Sequence, residues 1–319
     1  MNIIVTGAAG FIGYHTTKKL LEGGFNVLGV DNYNEYYDKN LKLQRVKLLE
    51  SYDNFLFEEA DLSNLDSFSK AFINFNPKKV VHLAAQPGVR YSFKNPNAYT
   101  SSNLVAFTNI IEMSRKNNVE NFVYASSSSV YGGNKTIPFS EKHSVDSPIS
   151  LYGATKRANE LIAYTYSHIY QLNTTGLRFF TVYGPWYRPD MGLFLFTKNI
   201  FSGQPIEVFN NGNMQRDFTY IDDITDGILL SLSQNNRYEI FNLGNSKSEN
   251  LMDVIRIIEN EARKKAKVKF KPIQKGDLIK TCADLTHSKK MLGFEPKISI
   301  EIGIPKLVNW YKEYYSVKP

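Results

Sequence analysis

Cysteine is nearly absent from this 319-residue sequence, in which Cys282 is the only one. A single cysteine cannot form an internal disulfide, and it excludes a zinc cluster built from cysteines. The five histidines are scattered, and none stands in an HExxH spacing. We therefore predict no metal site.

Long apolar runs are also missing, and no basic segment followed by an apolar one marks a secretory signal. The first apolar stretch, Ile3–Val5, begins almost at Met1, so we expect no segment to precede the fold. These absences predict no membrane partner. Together with the single cysteine, they favour a cytoplasmic location.

The net charge of +7 raises the question of a nucleic-acid partner. However, the sequence has no run of five like charges, and its basic residues alternate with acidic ones. An anionic small substrate or simple solubility explains the excess equally well. We expect no nucleic-acid partner.

A glycine-rich turn follows the first β-like run, in MNIIVTGAAGFIG. Gly7, Gly10 and Gly13 would allow a tight turn, close approach of a pyrophosphate and close helix packing. The spacing is GxxGxxG, and incidental glycines in a strand–turn–helix are the alternative. Asp31 ends the second β-like run, where a carboxylate accepts hydrogen bonds from the ribose of NAD and repels the 2′-phosphate of NADP. The pattern predicts an NAD site.

Short β-rich runs alternate with helical patterns through the first half of the chain, which predicts an α/β fold with a doubly wound parallel sheet of Rossmann type. The predicted strands are Asn2–Val5, Asn26–Val30, Phe55–Glu58, Lys79–His82, Asn121–Ala125 and Thr175–Phe179, and two of the helical segments are His15–Glu22 and Val105–Lys116. Elements become shorter after Phe180. We expect an NAD-binding domain over 1–180 and a smaller α/β substrate lobe over most of 181–319, with the chain returning to the sheet around 218–243.

Residues 152–156 read YGATK, and on a helix Tyr152 and Lys156 share one face. Half-ionising a tyrosine near neutrality requires its pKa to fall by ~3 units, roughly 4 kcal/mol. An ammonium about 5 Å away supplies ~3 kcal/mol at an effective dielectric of 20, and an oxidised nicotinamide could supply the rest. Tyr152 would then be a general base towards a sugar hydroxyl. A structural pair is the alternative.

Four serines stand in ASSSSVYG (125–132), directly after an apolar run. A polar surface turn is one interpretation. The other is a site, because strand ends of such sheets face the crevice where ligands bind. A hydroxyl there could hold the reacting oxygen against Tyr152.

In this order and spacing, the glycine motif, Asp31, HLAA (82–85), the serine run and YxxxK resemble the extended short-chain dehydrogenase/reductase superfamily of nucleotide-sugar epimerases and dehydratases. The resemblance covers essentially the whole chain, including LRFFTVYGP (177–185) and QRDFTYIDD (215–223). Within it, GVDNYNEYYDKNLKLQR, QPGVRYSFKNP and VYGPWYRPDM most resemble UDP-glucuronate 4-epimerases. Tyr187 stands where that last motif predicts glycine.

The resemblance implies a catalytic set of Ser127, Tyr152 and Lys156. It implies cofactor contacts from Gly7, Gly10, Phe11, Ile12, Gly13, Asp31, Asn32, Asp61, Leu62, Leu83, Ala84, Ala85, Asn103, Tyr152 and Lys156. From the residues alone, Asp61 could equally cap a helix. The implied substrate contacts are Arg90, Ser127, Ser128, Ser129, Thr181, Arg188, Arg216 and Asp284, with Lys198 and Asn199 as weaker candidates near the uridine.

The implied reaction is a 4-epimerisation of UDP-glucuronate through a 4-keto intermediate, with NAD tightly bound and recycled. Resembling dehydratases and decarboxylases carry an acidic residue where this chain has Ser129, so we expect no elimination. Ser128, Ser129, Thr181 and Arg188 are the candidates to fix the sugar carboxylate, since arginine pairs with carboxylates in bidentate geometry. A neutral UDP-sugar (UDP-glucose or UDP-N-acetylglucosamine) or a non-enzymatic NAD-binding role is the alternative. The resemblance also implies a homodimer through helices near 104–117 and 152–170, and a role in surface polysaccharide synthesis.

Overall fold

A computed structural model describes residues 1–274 and 276–317. Its strands are β1 (Asn2–Thr6), β2 (Asn26–Asp31), β3 (Phe55–Glu59), β4 (Lys79–His82), β5 (Asn121–Ser127), β6 (Thr174–Phe179), β7 (Thr181–Tyr183), β8 (Pro205–Phe209), β9 (Gln215–Tyr220), β10 (Tyr238–Leu243), β11 (Ser248–Asn250) and β12 (Lys267–Lys271). Its α-helices are α1 (Phe11–Glu22), α2 (Lys39–Leu49), α3 (Ser69–Phe75), α4 (Val89–Ser92), α5 (Pro96–Tyr99), α6 (Ala106–Lys116), α7 (Leu151–Tyr170), α8 (Gly192–Phe201), α9 (Ile221–Ser233), α10 (Leu251–Ala262), α11 (Thr286–Leu292) and α12 (Ile300–Tyr314).

Seven parallel strands form the central sheet in the order β10-β6-β5-β4-β1-β2-β3. Strands such as β1 are apolar on both faces, as parallel sheets covered by helices require. The strand order reverses between β1 and β4, and ligands bind at the carboxyl ends of strands beside such a reversal. The predicted doubly wound sheet is confirmed.

Helices cover both faces of this sheet. On one face, α1 and α9 pack in a core that continues into α10 and α12, and on the other face α3, α6 and α7 pack around Phe107 and Phe122. The predicted strands match the structure within two residues. The main difference is at β5, which continues through Ser126 and Ser127 instead of ending at Ala125.

The chain after β6 builds two smaller sheets, β11-β9-β7 and β12-β8. It then returns to the central sheet, where β10 pairs with β6 along Tyr238–Leu243. The helix predicted to start at Val105 starts one residue later, after a π-helical turn over Thr100–Val105. Among the described residues, no helix has both the length and the apolarity needed to cross a membrane.

Candidate active site

The glycine turn leads from β1 into α1. The surrounding backbone packs so closely against it that Gly7 and Gly13 leave no room for a side chain. Gly7 has a φ of +71°, and a Cβ there would lie 2.8 Å from the backbone nitrogen of Ala84. A Cβ on Gly13 would overlap the carbonyl oxygen of Gly7. Gly10 caps α1 without any side-chain hydrogen bond, so the first N–H groups of the helix are free to bind an anion.

Asp31 ends β2 beside this turn. One of its carboxylate oxygens accepts a hydrogen bond from the Tyr33 backbone nitrogen at 2.9 Å and lies 3.6 Å from the Lys42 ammonium. The other oxygen has no partner among residues 1–274 and 276–317. This free acceptor suits a pair of ribose hydroxyls.

A cavity of about 1040 Å³ extends from the glycine turn across the strand ends to the small sheets. The sequence-predicted residues that line it are Gly7, Gly10, Phe11, Ile12, Gly13, Asp31, Asn32, Asp61, Leu62, Leu83, Ala84, Ala85, Arg90, Ser127, Ser128, Ser129, Tyr152, Lys156, Thr181, Arg188 and Arg216. Residues from both predicted parts of the chain therefore meet around one space.

Two predicted site residues do not line the cavity. Asn103 is buried behind the wall, where its amide bonds the Gln86 backbone and the Thr155 hydroxyl. Asp284 is not in the cavity lining, and its carboxylate accepts a hydrogen bond from the Thr286 backbone nitrogen at the start of α11. Of the weaker candidates, Asn199 lines the cavity and Lys198 does not.

The four serines divide into different roles. Ser126 is still in β5, and its hydroxyl donates to the buried Glu160 carboxylate at 2.6 Å. The Ser127 hydroxyl accepts from the Ser129 backbone nitrogen and caps a 3₁₀ turn over Ser128–Tyr131. All four serines line the cavity, but the Ser126 hydroxyl is used to anchor the strand to Glu160.

Tyr152 and Lys156 lie on the first turns of α7, which Ser150 caps by accepting from the Gly153 backbone nitrogen. The Lys156 ammonium is buried and donates to the Ala125 carbonyl at 2.9 Å. Burial lowers the pKa of Lys156 to about 8.

The expected lowering of the Tyr152 pKa by Lys156 does not appear in this structure. Burial raises the pKa of Tyr152 above its ordinary value, and the nearby Ser127 hydroxyl and Arg188 charge offset that rise only in part. The reason is that desolvation penalises the phenolate more than these neighbours stabilise it. A base at neutral pH therefore needs further positive charge beside the phenol.

A first prediction concerns Lys156, whose burial as a cation opposes folding. The pKa of Lys156 is about 8 in the folded protein and about 10.4 in the unfolded chain. Burial of the charged lysine therefore lowers the free energy of unfolding by its full amount below pH 8, and this loss disappears as the pH rises past about 10.4. In nucleotide-free protein, Lys156→Met should raise the free energy of unfolding by about 1–2 kcal/mol at pH 7, after loss of the Ala125 hydrogen bond.

Urea unfolding at pH 7 and pH 9.5 measures this effect. The stability advantage of Lys156→Met should shrink at pH 9.5, where most of the native Lys156 is neutral. The exposed Lys116→Met, on α6, is the control and should show no such pH dependence. A variant that is less stable than the native protein at pH 7 would contradict the prediction.

Arg188 lines the same cavity as Tyr152 and Lys156. Its guanidinium makes a bidentate ion pair with Asp190, at 3.0 and 2.6 Å, and Asp190 also accepts from the Tyr36 hydroxyl at 3.2 Å. The Arg188 charge acts on Tyr152, as its pKa shows. An anionic group bound here would therefore lie beside the proposed base.

Arg90 and Arg216 form a second positive region of the cavity. Arg90 pairs with Asp277 at 2.9 Å and stacks on the Phe209 ring, and Arg216 donates to the Gln215 and Ile279 carbonyls. Burial lowers the pKa of Arg216. Two guanidiniums against one carboxylate leave a net positive charge that suits a diphosphate.

Sequence reasoning missed Asp190, Asp277 and Tyr36 as cavity residues. The aspartate of RPDM was visible two positions after Arg188, but nothing in the sequence showed that it pairs with that arginine. Tyr187, at the expected glycine, is tolerated because the left-handed residue of this turn is Trp186, with φ of 61°.

The fold and the residues around the cavity are those expected of a dinucleotide-binding protein of the short-chain dehydrogenase/reductase type. Residues 3–244 match the NAD dependent epimerase/dehydratase family, and the chain belongs to that family. It is 52% identical over 314 residues to an uncharacterized protein of Methanocaldococcus jannaschii, covering 98% of this chain and 96% of that one. It is 44% identical to UDP-glucuronate 4-epimerase 4 of Arabidopsis thaliana, covering 99% of this chain and 76% of that one.

Among solved structures, the chain is similar to UDP-glucuronic acid 4-epimerase from Bacillus cereus in complex with UDP-glucuronic acid and NAD. The TM-score is 0.93 and the identity 33%, over 99% of this chain and 100% of that chain. That structure contains NAD, and the family is described as NAD dependent. The close Gly7 and Gly13 packing, the free N–H groups of α1 and the free Asp31 oxygen fit such a group.

Proposed function

We propose that this protein converts UDP-glucuronate to UDP-galacturonate by NAD-dependent epimerisation at C4. One observation carries the proposal: the Arg188 guanidinium faces the same cavity as Ser127 and Tyr152, so a sugar carboxylate and its C4 hydroxyl can be bound at once. The plant and Bacillus cereus relatives named above support this substrate.

Tyr152 is the proposed proton carrier. It removes the proton from the C4 hydroxyl, while Ser127 holds that oxygen, and it returns the proton after the 4-keto sugar has turned over in the cavity. Bound NAD supplies a hydride acceptor and returns the hydride to the opposite face of C4, so no cofactor is consumed. Its nicotinamide charge would also supply the positive charge that the phenol needs.

The 4-keto intermediate of this substrate is a β-keto acid, which loses carbon dioxide when the breaking bond aligns with the ketone π system. We propose that Arg188 and the hydroxyls of Ser128, Ser129 and Thr181 hold the carboxylate near the ring plane. Arg90 and Arg216 would hold the diphosphate at the other positive region. In this proposal, the orientation of the sugar carboxylate prevents decarboxylation, and no separate acid or base is needed for that purpose.

The decisive assay incubates purified protein with UDP-glucuronate, without added NAD, and separates the products by NMR or chromatography. UDP-galacturonate near its equilibrium ratio is the expected result and would show that tightly bound NAD is recycled. A UDP-pentose would show that the carboxylate is unprotected. No conversion, even with NAD supplied, would favour a neutral UDP-sugar or a non-enzymatic NAD-binding role.

Arg188→Ala separates acidic from neutral substrates. Loss of a charge-assisted bidentate contact should raise KM for UDP-glucuronate about 100-fold. UDP-glucose, which has no carboxylate, should be affected only a few-fold. The matched control is Arg256→Ala, because Arg256 is exposed and pairs with Asp253 on the surface of α10, away from the cavity. An equal loss with both sugars would remove Arg188 from carboxylate recognition.

We also propose a homodimer through α6 and α7. Leu161, Tyr164 and Ile169 on α7 are each more than half exposed, and the Arg115 guanidinium of α6 stacks on the Tyr170 ring at 4.6 Å, joining the two helices. Exposed apolar residues clustered on one helix are typical of an interface.

Light scattering after size exclusion tests the dimer. The native protein should elute at twice the 36.4 kDa chain mass, and Leu161→Lys should shift it to the monomer. Ile302→Lys, at a similarly exposed apolar position on α12, should leave the dimer intact. A native monomer would contradict the proposal.

The other finer proposals rest on the sequence. We propose a cytoplasmic location, a role in surface polysaccharide synthesis, and a division into an NAD-binding part (1–180, joined by 218–243) and a substrate lobe over most of 181–319. Fractionation and the polysaccharide composition of a deletion strain would test the first two.

A further inference from the structure

A buried arginine links the glycine turn to residues 185–188, called the Arg188 segment. Arg45 of α2 is 0% exposed, and it has no carboxylate partner among residues 1–274 and 276–317. Its guanidinium donates to the Ala9 carbonyl at 2.8 Å, to the Tyr37 hydroxyl at 2.8 Å and to the Trp186 carbonyl at 2.5 Å. Ala9 lies inside the glycine turn, and Trp186 stands two residues before Arg188.

The neighbouring carbonyl is held from α1. His15 Nε2 lies 2.9 Å from the Pro185 carbonyl oxygen. Burial lowers the pKa of His15 to about 4, so the ring is neutral at pH 7. Because a carbonyl oxygen only accepts, Nε2 must carry the proton. The consecutive carbonyls of Pro185 and Trp186 are thus bound by His15 of α1 and Arg45 of α2, respectively.

The backbone at this point needs such support. Trp186 has a φ of 61°, and a left-handed conformation is unfavourable for a bulky residue unless its surroundings enforce it. The next ring, Tyr187, packs edge-on against Phe11 at 5.0 Å between centroids. Phe11 is the first residue of α1 and lines the cavity. The Arg188 segment is therefore built on the cofactor turn.

We propose that Arg45 and His15 are positioning residues that couple dinucleotide binding at the glycine turn to carboxylate binding at Arg188. A dinucleotide bound at the glycine turn would fix the position of the Ala9 carbonyl and therefore of the Arg45 guanidinium. Arg45 would in turn hold the Trp186 carbonyl, which sets the direction of the Arg188 side chain. The two ligands should then bind cooperatively, each tightening the other by the same factor. This inference rests on the proposed function for the identity of the acidic sugar.

The test uses full-length protein in which Tyr152→Phe blocks turnover and Trp310→Phe leaves Trp186 as the only tryptophan. After removal of bound nucleotide, the protein is titrated with UDP-glucuronate with and without saturating NAD, and Trp186 emission reports binding. NAD should tighten UDP-glucuronate binding about 10-fold. The enhancement for UDP-glucose, which lacks the carboxylate, should be smaller.

Arg45→Met should abolish that enhancement and shift the Trp186 emission to longer wavelength in the free protein. Arg45→Lys should fail to restore it, because an ammonium cannot span the Ala9 and Trp186 carbonyls as the planar guanidinium does. His15→Ala removes the second contact and should reduce the enhancement; it carries the test if Arg45→Met does not fold. Lys47→Met, an exposed cation on the same helix, should behave as the parent.

Several results would overturn the proposal: no NAD enhancement in the parent protein, an enhancement that survives both Arg45→Met and His15→Ala, or full rescue by Arg45→Lys, which would indicate charge alone. Failure of the proposed function is seen separately. If the proposed function is wrong, the native protein will not convert UDP-glucuronate. The binding titration is independent of that assay and reports only whether NAD enhances UDP-glucuronate binding.

Discussion

Replacing Tyr152 by phenylalanine should lower kcat for UDP-glucuronate epimerisation by about 10²–10⁴-fold, the range for loss of a positioned acid–base group. Phenylalanine keeps the ring and the packing of α7 but cannot accept or return a proton. The structure supports this assignment, since Tyr152 and Ser127 line the same cavity and Ser127 and Arg188 both act on the phenol.

Initial rates by NMR, together with UDP-glucuronate binding by calorimetry, measure the effect. Binding should change little, because the phenol contributes to the reaction more than to affinity. The control is Tyr52→Phe, which loses a hydroxyl bonded to Glu22 on the surface and should keep the native rate. A Tyr152→Phe enzyme within a few-fold of the native rate would show that another group carries the proton.

Replacing Glu160 by glutamine should cost about 3–5 kcal/mol of unfolding free energy, as removal of one partner of a buried ion pair does. Glu160 is 0% exposed. It accepts two hydrogen bonds from Arg178 at 2.9 Å each, one from Arg157 and one from Ser126. Glutamine has nearly the same shape, but it would leave the Arg178 charge buried without a counter-ion.

Urea unfolding measures this loss. The matched control is Glu22→Gln, which breaks the exposed i,i+4 pair with Lys18 and should cost under about 1 kcal/mol. The Glu160 variant should also lower activity, because Glu160 ties α7, which carries Tyr152 and Lys156, to the end of β5. A loss no larger than that of the control would show that the surroundings of Arg178 relax to hydrate it.

The serine run shows the limit of sequence reasoning about this site. Its position after an apolar strand predicted hydroxyls at the crevice, and Ser127, Ser128 and Ser129 do line the cavity. Ser126 also lines the cavity, but its hydroxyl is committed to Glu160. Strand alternation alone could not separate the two uses, because Glu160 is distant in sequence and its approach depends on how α7 packs.

The same reason explains the other differences. Asp284 was placed near the substrate by resemblance, but it caps α11. Lys156 was expected to act on Tyr152, but its ammonium turns to the Ala125 carbonyl. A side chain's choice among several acceptors depends on the three-dimensional packing around it, which no spacing in the sequence records.

The sequence by itself determined the class of fold and the dinucleotide pattern, because the glycine turn and Asp31 are short local patterns whose chemistry follows from their own spacing. The type of reaction came from the resemblance of several such motifs, in their order, to the epimerase family. The tertiary structure decided which groups act together: Arg188 with Asp190, Glu160 with Arg178 and Ser126, and Arg45 with Ala9 and Trp186. Most of these contacts join residues far apart in the chain, and their strength depends on burial, which only the folded packing produces.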